Sequence, residues 1–238
     1  GQLEMLRDLE AHDIHCSGGE FPNGPNAAAQ NGHLEIVRYL RARGIHCTAM
    51  GADIVAAHGH MEVLRDLLIH GIHCSTQGAD WAADNGDLEI VRELRAHGIH
   101  CTEHGANLAA MNGDLEVVRD LYEHGVRCTS DGADWAAGNG HLAIVQDLQA
   151  HGIHCTPDGA NQAAYKGHLR VVQDLHSYGI DCTSQGADWA AMNGHLEVIR
   201  ELRAHGIHCT RRGAEWAANN GRVEVLRDLE AHGIHCTS

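Results

Sequence analysis

Eight cysteines of this chain recur at a constant spacing of 27 residues: Cys47, Cys74, Cys101, Cys128, Cys155, Cys182, Cys209 and Cys236. A fixed period of roughly 20 to 50 residues is the signature of a solenoid, in which each short unit buries its apolar face only against its neighbours. The period therefore predicts a stacked array of similar units. Such an array offers a long repeated surface and no obvious single cleft, which favours a binding function.

A single unit carries the signals of two short helices joined by tight turns. Thr156 is a helix N-cap residue, and Pro157 follows at the first helical position, where its missing N–H costs little. Further along the unit, Leu169, Val172 and Leu175 share one face at helical spacing. No strand pattern appears, so the sequence predicts an all-α fold in which each unit is helix, tight turn, helix and short loop.

The centre of each unit resembles an ankyrin repeat. The resemblance rests on Asn-Gly-His-Leu-Glu-Val-Ile-Arg at residues 193–200, on the paired alanines Ala190 and Ala191 before it, and on the closing Gly206. Two features depart from the common ankyrin pattern. Gln-Gly-Ala-Asp at residues 185–188 stands in place of Thr-Pro-Leu-His, and the unit is about six residues shorter than the usual form of roughly 33 residues.

The resemblance implies an all-α solenoid of stacked helix-turn-helix, ankyrin-like repeats. Ankyrin proteins carry a projecting β-hairpin in the segment that is missing here, so we expect short loops, as in the compact hairpin-less repeats of large protist and giant-virus families. The resemblance also implies a non-enzymatic scaffold that binds another protein along a concave face formed by the first helix of each repeat.

The period also sets the expected domain organisation. Residues 1–16 correspond to a partial repeat with only its second helix, residues 17–47 to an irregular longer repeat, residues 48–236 to seven repeats of 27 residues, and residues 237–238 to the start of a further repeat. We expect one continuous array, interpreted as a piece of a longer one. Glycine and proline are dense from Gly18 to Pro25, which predicts an irregular loop there.

The repeated His-Cys pair raises the question of a metal site or a disulfide framework. Successive cysteines should lie one helix layer apart, on the order of 8–10 Å, whereas a disulfide needs Cα atoms within about 7 Å. Structural zinc needs about four ligands around one ion, and Arg127 and Asp181 replace the histidine in two repeats. We therefore interpret the cysteines as buried packing residues in a reducing, cytoplasmic protein, and a metal-binding His/Cys ladder stays a third alternative.

Composition narrows the partner classes. The net charge is −15 with histidines neutral, which argues against nucleic acid because such binding draws on clustered Lys and Arg. No apolar run approaches the roughly 18 residues that span a bilayer, so no membrane partner is expected. Neither a phosphate-binding glycine loop nor a nucleophile motif is present, and no cofactor and no catalytic residue is assigned.

Two positions on the first helix of each repeat vary along the chain. The first variable position holds Ala27, Ile54, Trp81, Leu108, Trp135, Gln162, Trp189 and Trp216, and the second holds Gln30, Ala57, Asp84, Met111, Gly138, Tyr165, Met192 and Asn219. Recognition needs differences along an array, whereas packing needs sameness, and Trp and Tyr are enriched at binding hot spots. The expected partner-binding residues are Trp81, Met111, Trp135, Tyr165, Trp189, Met192 and Trp216. The alternative to protein binding is a structural protein that self-assembles through its repeat ends into a fibre or shell.

Overall fold

The computed structural model describes residues 24–236, which contain sixteen α-helices and no β-strand. These residues fall into two compact units, one reaching Gly105 and the other beginning at Ala106. The first unit contains α1 (Gly24–Gln30), α2 (Leu34–Arg41), α3 (Ala49–Ala57), α4 (Met61–Ile69), α5 (Thr76–Asp84) and α6 (Leu88–Ala96), and the boundary falls within α7 (Glu103–Asn112). The second unit contains α8 (Leu115–Glu123), α9 (Ser130–Gly138), α10 (Leu142–Ala150), α11 (Pro157–Lys166), α12 (Leu169–Ser177), α13 (Ser184–Asn193), α14 (Leu196–Ala204), α15 (Arg211–Asn219) and α16 (Val223–Ala231).

Odd-numbered helices are the first helices of the repeats, and even-numbered helices are the second. First helices pack on the first helices of adjacent repeats, as α11 does on α9 and α13. Second helices also contact one another, as α10 and α12 do, and first helices pack on the second helix of their own repeat, as α9 does on α10. The predicted all-α stack of helix-turn-helix repeats is confirmed. None of the helices in the described part of the chain has the length and apolarity to cross a membrane. The continuous array across both units stays a prediction.

The predicted partial repeat at residues 1–16 lies outside the described residues, as does most of the loop that starts at Gly18. Its last two residues, Gly24 and Pro25, form the first turn of α1, and Pro25 is buried there. Their assignment to an irregular loop is therefore wrong. Proline fits the first turn of a helix because the N–H that it lacks would have no intrahelical partner at that position.

An Asp or Asn on each first helix from α1 to α13 ties it to the following repeat, and we call this contact the inter-repeat clasp. On α15 the same position holds Glu215. Oδ1 of Asp134 accepts a hydrogen bond from the backbone N–H of Thr156 at 2.7 Å, and its Oδ2 accepts one from the Thr156 hydroxyl at 2.6 Å. The same hydroxyl accepts from the N–H of Asp158 at 3.2 Å, which caps α11. Equivalent clasps join Asn26 to Thr48, Asp53 to Ser75, Asp80 to Thr102, Asn107 to Thr129, Asn161 to Thr183, and Asp188 to Thr210.

Asn and Asp form the clasp in two electronically different ways. Oδ1 of Asn107 accepts from the N–H of Thr129 at 2.9 Å, but its Nδ2 donates to the Thr129 hydroxyl, also at 2.9 Å. The hydroxyl therefore donates to an aspartate, whereas it accepts from the amide of an asparagine. Because both versions satisfy the same backbone N–H, the alternation of Asp and Asn along the chain leaves the fold unchanged.

The clasp explains the glycine that begins each Gly-Ala-Asp or Gly-Ala-Asn run. A Cβ added to Gly159 would lie 2.3 Å from Oδ1 and 2.8 Å from Cα of Asp134 in the preceding repeat. Ala160, Ala163 and Ala164 on the same helix are also fully buried. The first helices can therefore approach one another only where glycine and alanine face the neighbouring layer.

The second helices are joined by polar contacts between repeats. In the second unit, Nε of Arg119 donates to Asp147 at 2.7 Å, and Nε2 of Gln146 donates to Asp174 at 2.7 Å, each pair spanning 28 residues. Near the end of that unit, Arg203 donates to Asp228 at 2.6 Å. This guanidinium, together with Arg200, holds the pKa of Asp228 below its ordinary value.

Substitutions at Asp134 test the inter-repeat clasp. Asp134→Ala leaves the N–H of Thr156 without its partner, so we expect the free energy of unfolding to fall by about 1–3 kcal/mol. Asp134→Asn is the matched control, because Asn107 and Asn161 already form the clasp. Burial raises the pKa of Asp134 because it disfavours the charged carboxylate, and the neutral amide of asparagine avoids that cost. We therefore expect Asp134→Asn to lower the free energy of unfolding by less than half as much as Asp134→Ala. Urea unfolding followed by circular dichroism measures both, and equal losses would contradict this role for the clasp.

Candidate protein-binding face

The predicted binding residues are less buried than the alanines beside them on the first helices. On α13, Gly186, Ala187, Asp188, Ala190 and Ala191 are all buried against neighbouring elements. Trp189, in the midst of this run, keeps partial exposure. Packing fixes the buried positions, so the first variable position is left comparatively free to change from repeat to repeat.

In the first unit, the structure places one predicted binding residue, Trp81, on α5. Its side chain is half-buried, while Ala82 and Ala83 beside it are completely buried. The backbone around Trp81 is held by Asn85, whose Nδ2 donates to the carbonyl of Trp81 and to that of Ala57, both at 2.9 Å. Trp81 is therefore presented from a fixed backbone with part of its ring open to solvent.

In the second unit, the remaining six predicted residues occupy α7, α9, α11, α13 and α15. Trp135, Trp189 and Trp216 are half-buried, as are Met111 and Met192. Tyr165 is exposed to 39%. None of these side chains belongs to the fully buried core, which is the geometry expected of a partner surface, and their binding role stays a prediction.

Aromatic side chains at the variable positions make two contacts with nearby side chains. The rings of Tyr165 on α11 and Trp189 on α13 meet edge to face, with centroids 6.0 Å apart. The guanidinium carbon of Arg212 lies 4.4 Å from the centroid of the Trp216 ring. Arg212 was not predicted from the sequence. A helix start favours negative charge, so a basic residue in the first turn of a helix is a recognisable signal.

The backbone at the second variable position is held by the turn of the next repeat. The carbonyl of Met111 accepts hydrogen bonds from Nδ2 of Asn139 at 2.7 Å and from Nε2 of His141 at 3.0 Å. The carbonyl of Tyr165 accepts from Nδ2 of Asn193 at 2.7 Å. These contacts explain the recurring Asn-Gly-His turn, and they fix the position from which each side chain projects.

Most histidines among residues 24–236 fall into three structural groups. Those of the turn pack between repeats, where burial lowers the pKa of His168, with a further contribution from Lys166, and burial also lowers the pKa of His195. These two rings favour the neutral form when folded, so their contribution to stability is complete above the unfolded pKa of about 6.5 and declines as the pH falls below it. Histidines at the ends of the second helices cap them, as Nδ1 of His124 does at 2.7 Å from the carbonyl of Asp120. The histidines of the His-Cys pairs are exposed where the structure describes them.

The cysteines are buried hydrogen-bond donors. Sγ of Cys155 donates to the carbonyl of Ala133 in the preceding repeat at 3.3 Å, and Cys182 and Cys209 make the same contact with Ala160 and Ala187. Burial raises the pKa of Cys155 to about 12. A metal binds the thiolate, and no group of three or more metal-ligating side chains within residues 24–236 is placed to hold an ion. The geometry thus lends no support to the metal-binding alternative.

Thiol labelling tests the buried cysteine ladder. In a Cys16→Ser/Cys236→Ser variant, the seven cysteines from Cys47 to Cys209 should react with a thiol reagent only after denaturation, because all seven are buried. Cys236 is partly exposed, so a variant that retains it is the positive control and should label in the folded state. Rapid labelling of the seven in native protein would contradict this packing role.

The stability lost when Cys155 is replaced by a polar residue is a second test of the buried cysteines. Cys155→Ser should lower the free energy of unfolding by about 1–3 kcal/mol, the range for burying a hydroxyl with a poorly placed partner, because the Cβ–O bond of serine is shorter than the Cβ–S bond that brings Sγ to the Ala133 carbonyl. Cys155→Ala should cost less than Cys155→Ser. Urea denaturation of the two variants compares them directly, and the reverse order would show that the position requires a polar donor.

The chain is similar in fold to a solved structure, whereas no protein-family model and no curated protein sequence matches it. Among solved structures, the crystal structure of the human ASB11 ankyrin repeat domain is similar at a TM-score of 0.57 with 19% sequence identity, over 66% of this chain and 84% of that domain. The fold of the chain is accordingly that of an ankyrin repeat domain.

Proposed function

We propose that the chain is a non-enzymatic scaffold that binds another protein through the exposed variable positions of its first helices. One observation carries the proposal. The interior of these helices is buried against neighbouring layers, whereas the seven predicted binding residues keep partial exposure. Their positions also hold different residues in other repeats, such as Leu108 and Gln162.

The side chains found at these positions suit recognition. Trp, Tyr and Met supply large contact areas, and aromatic residues dominate the energy of many interfaces. Their backbones are held by the next repeat, as at Tyr165 and Met111. A rigid backbone lowers the entropy lost on binding, because the residues need not be ordered by the partner.

A reducing, intracellular location belongs to the same proposal. The seven cysteines from Cys47 to Cys209 are free thiols with no disulfide partner. Disulfide-free cysteines are typical of reducing compartments. Buried thiols of raised pKa also resist oxidation, so the ladder is suited to such a compartment without defining the partner.

Self-assembly into a fibre or shell is the competing proposal, and hydrodynamic measurements separate the two. A binding scaffold should have a monomeric mass that does not change with protein concentration in multi-angle light scattering. Growth of the mass with concentration would instead favour assembly through repeat ends.

Photo-cross-linking tests the proposed binding face with a matched control. A photoreactive phenylalanine analogue is placed at Tyr165, which is exposed to 39%, or at Tyr178, which is exposed to 56% and lies just after α12. In a lysate from the natural source, we expect a discrete cross-linked protein at position 165 and none at position 178, although Tyr178 is the more exposed. The same cross-linking at both positions, or at position 178 alone, would contradict the first-helix face as the binding site.

A further inference from the structure

The first turn of α15 carries two adjacent arginines, Arg211 and Arg212, and both are exposed. Thr210 is the N-cap of this helix, and its side chain accepts a hydrogen bond from the N–H of Arg212 at 3.2 Å. The arginines therefore occupy the first two helical positions. The N-terminus of a helix bears a partial positive charge, so cationic side chains are disfavoured at these positions.

No other first helix of the second unit begins in this way. The corresponding pairs are Ser130-Asp131 on α9, Pro157-Asp158 on α11 and Ser184-Gln185 on α13. Because all three support the same helix, the fold does not require a basic pair. Departures from local structural preference concentrate at functional sites, so the two arginines call for a role outside the packing of the repeat.

The arginines stand beside one of the aromatic variable positions. The guanidinium of Arg212 lies over the indole ring of Trp216, with its carbon 4.4 Å from the ring centroid. Stacking engages the face of a guanidinium and leaves the N–H groups at its edge able to donate to an anion. Arg211 lies 3.3 Å from Glu215, an exposed ion pair that contributes little and can exchange partners.

These features form an anchor that we define as Arg211, Arg212 and Trp216. Resting on the proposed function, we infer that the anchor binds an acidic segment of the partner protein, with carboxylates on the two guanidinium groups and an apolar side chain against Trp216. Arginine pairs with carboxylate through two parallel hydrogen bonds, which fixes direction as well as affinity.

Charge complementarity selects this occupant. The chain carries a net charge of −15, so most of its surface repels an acidic segment. The position of Arg212 is held by Asp131 on α9 and by Asp158 on α11, whereas α13 holds the neutral Gln185 there. An acidic stretch is therefore favoured at α15 and disfavoured at α9 and α11, and this difference would orient a partner along the first-helix face of the second unit.

Binding of a fluorescein-labelled deca-glutamate peptide tests the anchor by fluorescence anisotropy. The variant Arg211→Ser/Arg212→Gln introduces the residues that α13 carries, so the helix should be retained. The control Arg170→Gln/Arg227→Gln changes the net charge by the same amount at exposed positions of second helices. We expect the anchor variant to weaken binding by about tenfold or more, as for loss of a paired hot-spot charge, and the control by less than about twofold, as for screened surface charges.

The inference would be overturned by no binding of the peptide to the native chain, by equal weakening in both variants, or by tighter binding of a phosphoserine peptide than of a glutamate peptide of the same charge. The anchor variant could instead lose binding to vesicles of phosphatidylcholine and phosphatidylserine while its peptide binding stays unchanged. That result would assign the arginines to a membrane surface and would also overturn the inference. The cross-link at position 165 reports separately on the proposed function. If position 165 cross-links but deca-glutamate does not bind, only the inference about the anchor is contradicted. If the peptide binds through the anchor but position 165 gives no cross-link, the proposed first-helix binding face is contradicted.

Discussion

The close approach of successive first helices is the contact on which the rest of each unit depends. Each approach brings a glycine directly over the buried Asp or Asn of the preceding repeat, as at Gly132 over Asn107, where an added Cβ would lie 2.4 Å from Oδ1. The same Asn107 accepts the backbone N–H of Thr129 and thereby fixes the start of the next first helix. Packing distance and helix capping are thus set by one side chain, so a repeat can neither slide nor rotate without breaking both.

This constraint divides each first helix into a fixed side and a free side. Ala133, Ala136 and Ala137 are completely buried on α9, whereas Trp135 on the same helix is only partly covered. Any residue larger than alanine on the fixed side would separate the layers, because cores tolerate extra volume poorly. Residues can therefore differ between repeats mainly at the partly exposed positions. The proposed partner surface is thus a consequence of how the repeats pack and needs no separate binding domain.

Much of the fold could be predicted from the sequence because a repeated unit makes each structural signal visible many times. The cysteine period, the Ser or Thr at the start of each first helix and the glycine after each second helix fixed the order of helices and turns. Gly98 shows why the last of these signals is dependable: with φ of 78° it adopts a left-handed conformation that other residues rarely enter. The burial of the cysteines was also expected, since a disulfide or tetrahedral metal site does not fit one layer spacing.

Other features depend on contacts that sequence spacing does not reveal. Asp80 and Asn107 stand at the same position of successive repeats, but their shared contact with the start of the following helix is seen only when residues 22 positions apart are brought together. The turn histidines are similar, since the carbonyl that His141 contacts lies 30 residues earlier in the chain. The partial exposure of the tryptophans could be expected because other repeats hold different residues at the same position. The position of Arg212 over Trp216, in contrast, depends on the side-chain conformations of one particular helix.

The central claim is that packing fixes one set of first-helix positions and leaves the variable positions free. Denaturant unfolding of two single variants of α13 tests it most directly. Gly186→Ala places a Cβ 2.4 Å from Oδ1 of Asn161, and such overpacking costs about 1–3 kcal/mol. Trp189→Gln introduces the residue that Gln162 provides at the same position of the preceding repeat. We expect Trp189→Gln to lower the free energy of unfolding by less than half as much as Gly186→Ala, and an equal or larger loss for Trp189→Gln would show that the variable positions belong to the core.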